Sequence, residues 1–380
     1  MGLVLAGRFL LGPLAVILLV INMGFGRLCA KPGKSCWISA RFAFDGAGLS
    51  RESPSASGAG ALAFPHGHLL GDISALEHVR SSGTLLPELL DRPRASRLEG
   101  CGVPGGVELD DLVVGLGLRT RPVHLLVPDG VSTHGRPGVA RHRRRAALPR
   151  GSLIRVAPNV LVTGPELTLC QLAVRGDYDL VDVAKLAFEL CGTYLLDQDH
   201  NSWQGFVNNE VSATTVSRIG AAARSLKGSK GVARINSMLP YVLDSSHSPM
   251  ETALAMLLVL PQKLGGIGLK GARMNYAISG TNRLMDLAFP GDRVGLEYKG
   301  KQYHAIEQSG RDDRRQNEIA GRGWTILNVW HEDLCDDNLF ALLEDSLLRA
   351  LSHRFRPSAA FYERQRLLRS RLVPGLRSFS

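Results

Sequence analysis

Apolar positions recur along this chain in two rhythms. In "RPVHLLVPDG" (121–130) a short apolar run ends at a Pro-Asp-Gly turn, which predicts a strand. The stretch "GSLIRVAPNVLVTGPELTLCQLAV" (151–174) predicts a hairpin leading into a helix. Next, "DLVDVAKLAFELCGTYL" (179–195) carries apolar residues at helical spacing and stops at Gly192. A second region begins near residue 246. There "SPMETALAMLLVLP" (248–261) has Ser248 as N-cap, Pro249 at the first helical position and Glu251 at the capping-box position. Strands are then expected at 274–278, 283–289 and 293–299, a helix at 312–321, a strand at 324–329 and a helix at 337–353. The expected fold class is therefore α/β, with a C-terminal mixed sheet flanked by helices (246–353) and a separate mixed α+β region before it (66–240). Residues 36–65, rich in Gly, Ser, Ala and Pro, read as a linker, and 354–380 as a basic tail that is either a peripheral helix or partly disordered.

Charge narrows the partners. Lys and Arg number 45 against 35 acids, a net +10 that draws polyanions, with nucleic acid first and anionic membrane surfaces second. Arg141, Arg143, Arg144 and Arg145 in "RHRRRAALPR" (141–150) lie in a turn-rich stretch and are candidates for DNA phosphate contact, the plainer reading being a solvated loop. Six cysteines without a CxxC pair or a histidine at zinc-like spacing argue against a disulfide framework and a structural zinc site. Cys170 and Cys191 sit in apolar runs and are expected to be buried.

From Phe9 to Phe25 there are 17 residues without a charge, within residues 1–35. They admit three readings: a single membrane anchor, a poor secretory signal, or a segment preceding the true start. The heavier positive flank lies downstream, so each reading leaves the main body cytoplasmic.

The stretch "MDLAFPGDRVGLEYKGKQYH" (285–304) carries the candidate chemistry. With Gly291 and Asp292 as a two-residue turn, Asp286 pairs across from Glu297. A four-residue turn still leaves them on one face, and only a bulge would separate them. Alternation puts Met285, Leu287, Phe289, Val294, Leu296 and Tyr298 on apolar faces fit to pack on a helix. The opposite face holds Asp286, Glu297 and Lys299 beside the small residues Ala288 and Gly295. Two carboxylates about 5 Å apart across a ladder repel unless a cation or proton lies between them. Hard divalent ions such as Mg²⁺ take such oxygens, and a neighbouring lysine can polarise water or neutralise a phosphate. That set suits metal-dependent phosphodiester cleavage. The plainer readings are a surface ion pair between Glu297 and Lys299 and a purely capping Glu251. Trp324 and Trp330 are expected to pack rather than to stack on bases.

The spacing Asp286-x(10)-Glu297-x-Lys299, after an acidic helix and before a helix and strand, resembles the PD-(D/E)XK nuclease superfamily. Within it, "LEYKGKQYH" and "RDDRRQNEIAGRGWTILNVWHEDL" are similar to the very-short-patch-repair-like endonuclease group, over residues 246–335. The resemblance implies a restriction-endonuclease-like sheet, Mg²⁺ or Mn²⁺ as cofactor with no organic one, and DNA as partner, with a homodimer as one assembly. Asp286 and Glu297 would be metal ligands, Glu251 the acid on the first helix and Lys299 the motif lysine, with Lys301 and His304 near DNA. Many of that group carry an acid where Lys299 stands, which is a departure. "LPRGSLIRVAPNVLVTGPELTLCQLA" and "FELCGTY" resemble the region leading such domains in some bacterial proteins, and abortive-infection-type antitoxin modules. The function expected is a metal-dependent DNA endonuclease of repair or defence. The alternative is a catalytically inactive nuclease-fold DNA-binding or antitoxin-like regulator.

Overall fold

In the computed structural model, which describes residues 67–97, 100–129, 137–143, 148–197, 205–281, 283–300 and 321–373, the apolar runs of the first region become one mixed sheet. Its strands are β1 (His68–Leu70), β2 (Arg94–Ala95), β3 (Val123–Val127), β4 (Val139–Arg143), β5 (Leu153–Ala157) and β6 (Val160–Thr163), in the order β2-β5-β6-β1-β3-β4. β1 is parallel to β6 and antiparallel to β3, while β4 runs parallel to β3 at the edge. Every residue of β3 and β6 is buried, as continuous apolar strands require, whereas β4 is half-buried. The helices between and after them are α1 (Asp72–Ser81), α2 (Leu86–Leu90), α3 (Gly106–Gly115), α4 (Pro165–Leu172) and α5 (Leu180–Cys191). The hairpin and the helix after β6 match the sequence pattern, and Cys170 and Cys191 are buried. A small antiparallel pair, β7 (Tyr194–Leu196) and β8 (Phe206–Asn208), precedes α6 (Val216–Ser225) and α7 (Val232–Met238).

α8 (Pro249–Val259) starts as its sequence dictates, with Ser248 Oγ accepting the Glu251 N–H at 3.2 Å and Pro249 in the first turn. Thr252 through Val259 are all buried, so this helix has no solvent face. It packs against α5 of the first region, against the second sheet and against the last helix. The second sheet comprises β9 (Arg273–Ile278), β10 (Arg283–Phe289), β11 (Val294–Lys299) and β12 (Thr325–Trp330), in the order β12-β11-β10-β9. β12 is parallel to β11 and the other pairs are antiparallel. Then follow α9 (His331–Cys335), α10 (Asp337–Ala350) and α11 (Ala359–Leu372). The class is thus mixed α/β, and one apolar core runs from Leu69 to Val373 through both sheets.

The helix expected at 312–321 lies outside the described residues except Gly321, which is in a turn. The linker at 36–65 and the apolar run Phe9–Phe25 also lie outside them. Among the described residues no helix is long and apolar enough to cross a membrane.

The basic tail folds inward as α11. Phe361, Leu368 and Leu372 are buried, and Arg369, only 3% exposed, donates to the carbonyls of Leu334 and Cys335 and to Asp337, with its guanidinium 4.6 Å from the Phe340 ring centre. Arg371 pairs with Asp179 and Asp182 at the start of α5. These arginines serve packing, so part of the chain's positive charge is not displayed to a partner. Gly265 makes the docking of α11 close: at φ +94°, a Cβ there would overlap the Arg364 carbonyl. Gly265→Ala is expected to lower unfolding free energy by more than about 2 kcal/mol, read as a fall in the urea midpoint.

Candidate functional site

Between β10 and β11 the pairs Phe289–Val294, Ala288–Gly295 and Leu287–Leu296 give the register expected from the turn, and the next step sets Asp286 opposite Glu297. The ladder stops there. Asp286 Oδ2 accepts the Tyr298 N–H at 2.7 Å, so a side chain takes the place of a strand carbonyl. The β9–β10 ladder skips the same residue, whose opposite number, Asn275, has φ +46°.

This double interruption breaks the alternation assumed from sequence. Met285 packs with Ile278 and Ala288 and would lie 2.8 Å from a Cβ on Gly295, while Leu287, Phe289, Val294 and Leu296 enter the main core. Met285 therefore belongs to the Ala288–Gly295 face, a correction to its expected place beside Leu287 and Phe289. The cause is the irregular backbone at Asn275 and Asp286, which lets neighbouring side chains leave strict alternation.

Glu251 comes to the site from the first turn of α8. Its Oε1 accepts Ser248 Oγ–H at 3.0 Å, and its Oε2 accepts His247 N–H at 2.9 Å and Asn275 Nδ2–H at 3.0 Å. Both oxygens are engaged, so the capping role is real and direct metal ligation would have to displace it. Burial pushes the Glu251 carboxyl above its usual range. Burial, then the charge of Glu251 and that of Glu297, raise Asp286 to about 7 against the pull of Tyr298 N–H and Lys299. Lys299 Nζ pairs with Glu297 Oε2. The four predicted residues Glu251, Asp286, Glu297 and Lys299 thus act on one another, although the three carboxylates do not close to within 4.8 Å. Among the described residues only Asp72, His124 and His142 form a set that tight.

Sequence reasoning missed one neighbour. Asn328 on β12 is in register with Glu297, and its side-chain oxygen is buried with no hydrogen-bond partner among the described residues. A polar residue in the middle of "TILNVW" was the available signal.

No family model, curated protein or solved structure matches this chain. The chemistry therefore rests on the residues themselves. Asp286 Oδ1 and Glu297 Oε1 are hard oxygen donors left over beyond the bonds above, a set suited to Mg²⁺ or Mn²⁺ and unsuited to soft ions.

The arginine run expected in a turn-rich stretch is in part a strand, which corrects that reading. Val123–Val139 through Val127–Arg143 pair in parallel, drawing Arg141, His142 and Arg143 into β4. Arg141 and Arg143 share one face of this edge strand and His142 takes the other. Arg144, Arg145, Lys301 and His304 lie outside the described residues. Trp324 packs 5.8 Å from the Tyr276 ring, and Trp330 is partly exposed.

Proposed function

We propose that the chain is a metal-dependent DNA endonuclease with a restriction-endonuclease-like C-terminal third. One observation carries this reading: Asp286 is half-buried with two further carboxylates against one ammonium, an excess of negative charge, and burial first, then the charges of Glu251 and Glu297, raise its carboxyl to about 7. A divalent cation relieves that excess, and bound there it would supply Lewis acidity toward water and phosphate. Asp286 and Glu297 are the residues that would hold it. Glu251, with both oxygens engaged, contributes its field and fixes Asn275. Lys299 is poised to turn from Glu297 toward a phosphate oxygen, where charge grows during cleavage. Asn328 adds a neutral oxygen beside Glu297. The net charge of +10 supports nucleic acid as substrate.

The test is nicking of supercoiled plasmid with Mg²⁺ or Mn²⁺. Glu297→Gln and Lys299→Met are each expected to slow it by about 10²-fold or more, with circular dichroism unchanged. Wild-type rates in both variants would remove the reading. A second reading, a nuclease fold kept for DNA binding alone, is favoured by the fully engaged Glu251 and by the failure of the three carboxylates to close together to within 4.8 Å of one another. Calorimetry separates the two: DNA binding without Mg²⁺ or Mn²⁺ uptake supports the second.

A further inference from the structure

A separate polar cluster lies in the first sheet, under α1. Asp72 opens that helix at φ +57°, a left-handed conformation uncommon for any residue but glycine. The preceding Gly71 has no room for a Cβ, which would overlap Leu126 Cδ1. Asp72 N–H donates to Gln171 Oε1 at 2.9 Å, which holds its backbone, and Ile73 N–H donates to Asp72 Oδ1 at 2.8 Å, which holds its carboxylate. Asp72 Oδ1 lies 3.4 Å from His124 Nδ1, which in turn lies 2.8 Å from His142 Nε2. The two ring planes are within 18° of parallel with centroids 5.0 Å apart, so with nitrogens this close the rings meet edge to edge.

Parallel pairing of β3 with β4 creates this meeting. His124 is in register with Ala140 and His142 with Leu126, so the two imidazoles are two steps apart on one face. The backbone of His124 is anchored by its main-chain N–H, which donates to Ser74 Oγ at 3.0 Å. Asp72 and His124 are buried, while His142 on the edge strand is half-exposed.

As a packing device this cluster is poor. It spends a strained backbone and three polar side chains where apolar residues would serve. Two imidazole nitrogens and one carboxylate oxygen, all within 4.8 Å, are instead the donor set of a borderline divalent ion with one position left for water or substrate. We propose that Asp72, His124 and His142 bind a single divalent transition ion of the zinc class.

Bonds of about 2.0–2.1 Å in a tetrahedral site set ligand atoms roughly 3.3 Å apart. The Asp72–His124 separation of 3.4 Å already meets this, and the 2.8 Å His124–His142 contact must open by about half an ångström as the rings pivot. The ring that donates the shared proton moves it to its other nitrogen, so no proton is lost. Besides the Ile73 N–H at 2.8 Å, Arg175 Nη1 donates to Asp72 Oδ1 at 2.7 Å and competes with an ion for that oxygen. It also holds Asp177 through Nε at 2.9 Å and Nη2 at 2.6 Å, so it can yield Asp72 and remain paired. The ion would tie edge strand β4, which presents Arg141 and Arg143, to β3 and α1.

The experiment is titration of the full chain with Zn²⁺, and with Co²⁺ for its visible spectrum, in excess Mg²⁺. The expected result is one ion per chain, cobalt bands of a nitrogen- and oxygen-bound centre, and a raised thermal midpoint. His142→Asn, half-exposed and so foldable, should weaken binding more than about 100-fold, as should His124→Ala. Asp286→Asn should leave zinc uptake unchanged, which separates this site from the proposed nuclease centre. No stoichiometric uptake by the wild type, or undiminished affinity in folded His142→Asn, overturns the proposal.

Discussion

Asp286→Asn is expected to abolish plasmid nicking while making the folded protein more stable at pH 8. The amide keeps an oxygen for the Tyr298 N–H and removes a charge that the site does not neutralise. In the folded chain the carboxyl stands at about 7, against 3.8 for an ordinary aspartate. The folded state therefore holds a proton that the unfolded chain has already lost, and wild-type stability falls as pH rises from about 4 to 7. The cost is absent below pH 4 and complete above pH 7. At 1.36 kcal/mol per pH unit it is at most about 4 kcal/mol, and relaxation and solvent reduce the expected gain to about 1–3. Urea unfolding of both proteins at pH 4.5 and pH 8 reads this directly. A gain present in full at pH 8 and reduced to about a quarter at pH 4.5 is the expected result, together with a loss of nicking of at least about 10³-fold. Mg²⁺ should raise the wild-type midpoint at pH 8 and leave the variant's unchanged, because the ion replaces the missing neutralisation. A variant no more stable than wild type at pH 8 would mean that neither burial nor the neighbouring carboxylates disfavour the charge on Asp286, and would leave a cation nothing there to relieve.

The acidic strand pair could be read from sequence because a hairpin's register follows from its turn. Once Gly291 and Asp292 turn the chain, Asp286 must face Glu297. What alternation could not foresee was the left-handed Asn275, which carries no pattern of its own and sends Met285 to the other face. The start of α8 was legible because Ser248, Pro249 and Glu251 each satisfy a local backbone need. α1 was not, since it buries Asp72, Glu77 and His78 alongside Ala75, Leu76 and Val79, so polarity does not mark its inner side. The histidine pair was equally hidden. His124 stood in an apolar run and His142 among arginines, and only the parallel pairing of β3 with β4 joins them. Parallel neighbours are set by long connections, for which short-range sequence rules give no register.

Arg80→Met is expected to cost about 3–5 kcal/mol of stability, the largest loss foreseen from a single change outside the apolar core. Arg80 Nε and Nη2 donate to Glu189 Oε1 and Oε2 at 2.8 and 2.7 Å, and the Glu189 side chain is only 2% exposed. Glu189 Oε1 also accepts the Leu196 N–H at 3.2 Å, so one carboxylate joins α1, α5 and β7. Removing the guanidinium leaves that charge buried with a single backbone donor, and the penalty is mostly the orphaned carboxylate rather than the lost bond. The double variant Arg80→Met with Glu189→Met should regain most of the loss, because it removes both charges and keeps the volume. A deficit that persists undiminished in the double variant would assign the role of Arg80 to the packing of its aliphatic stem instead.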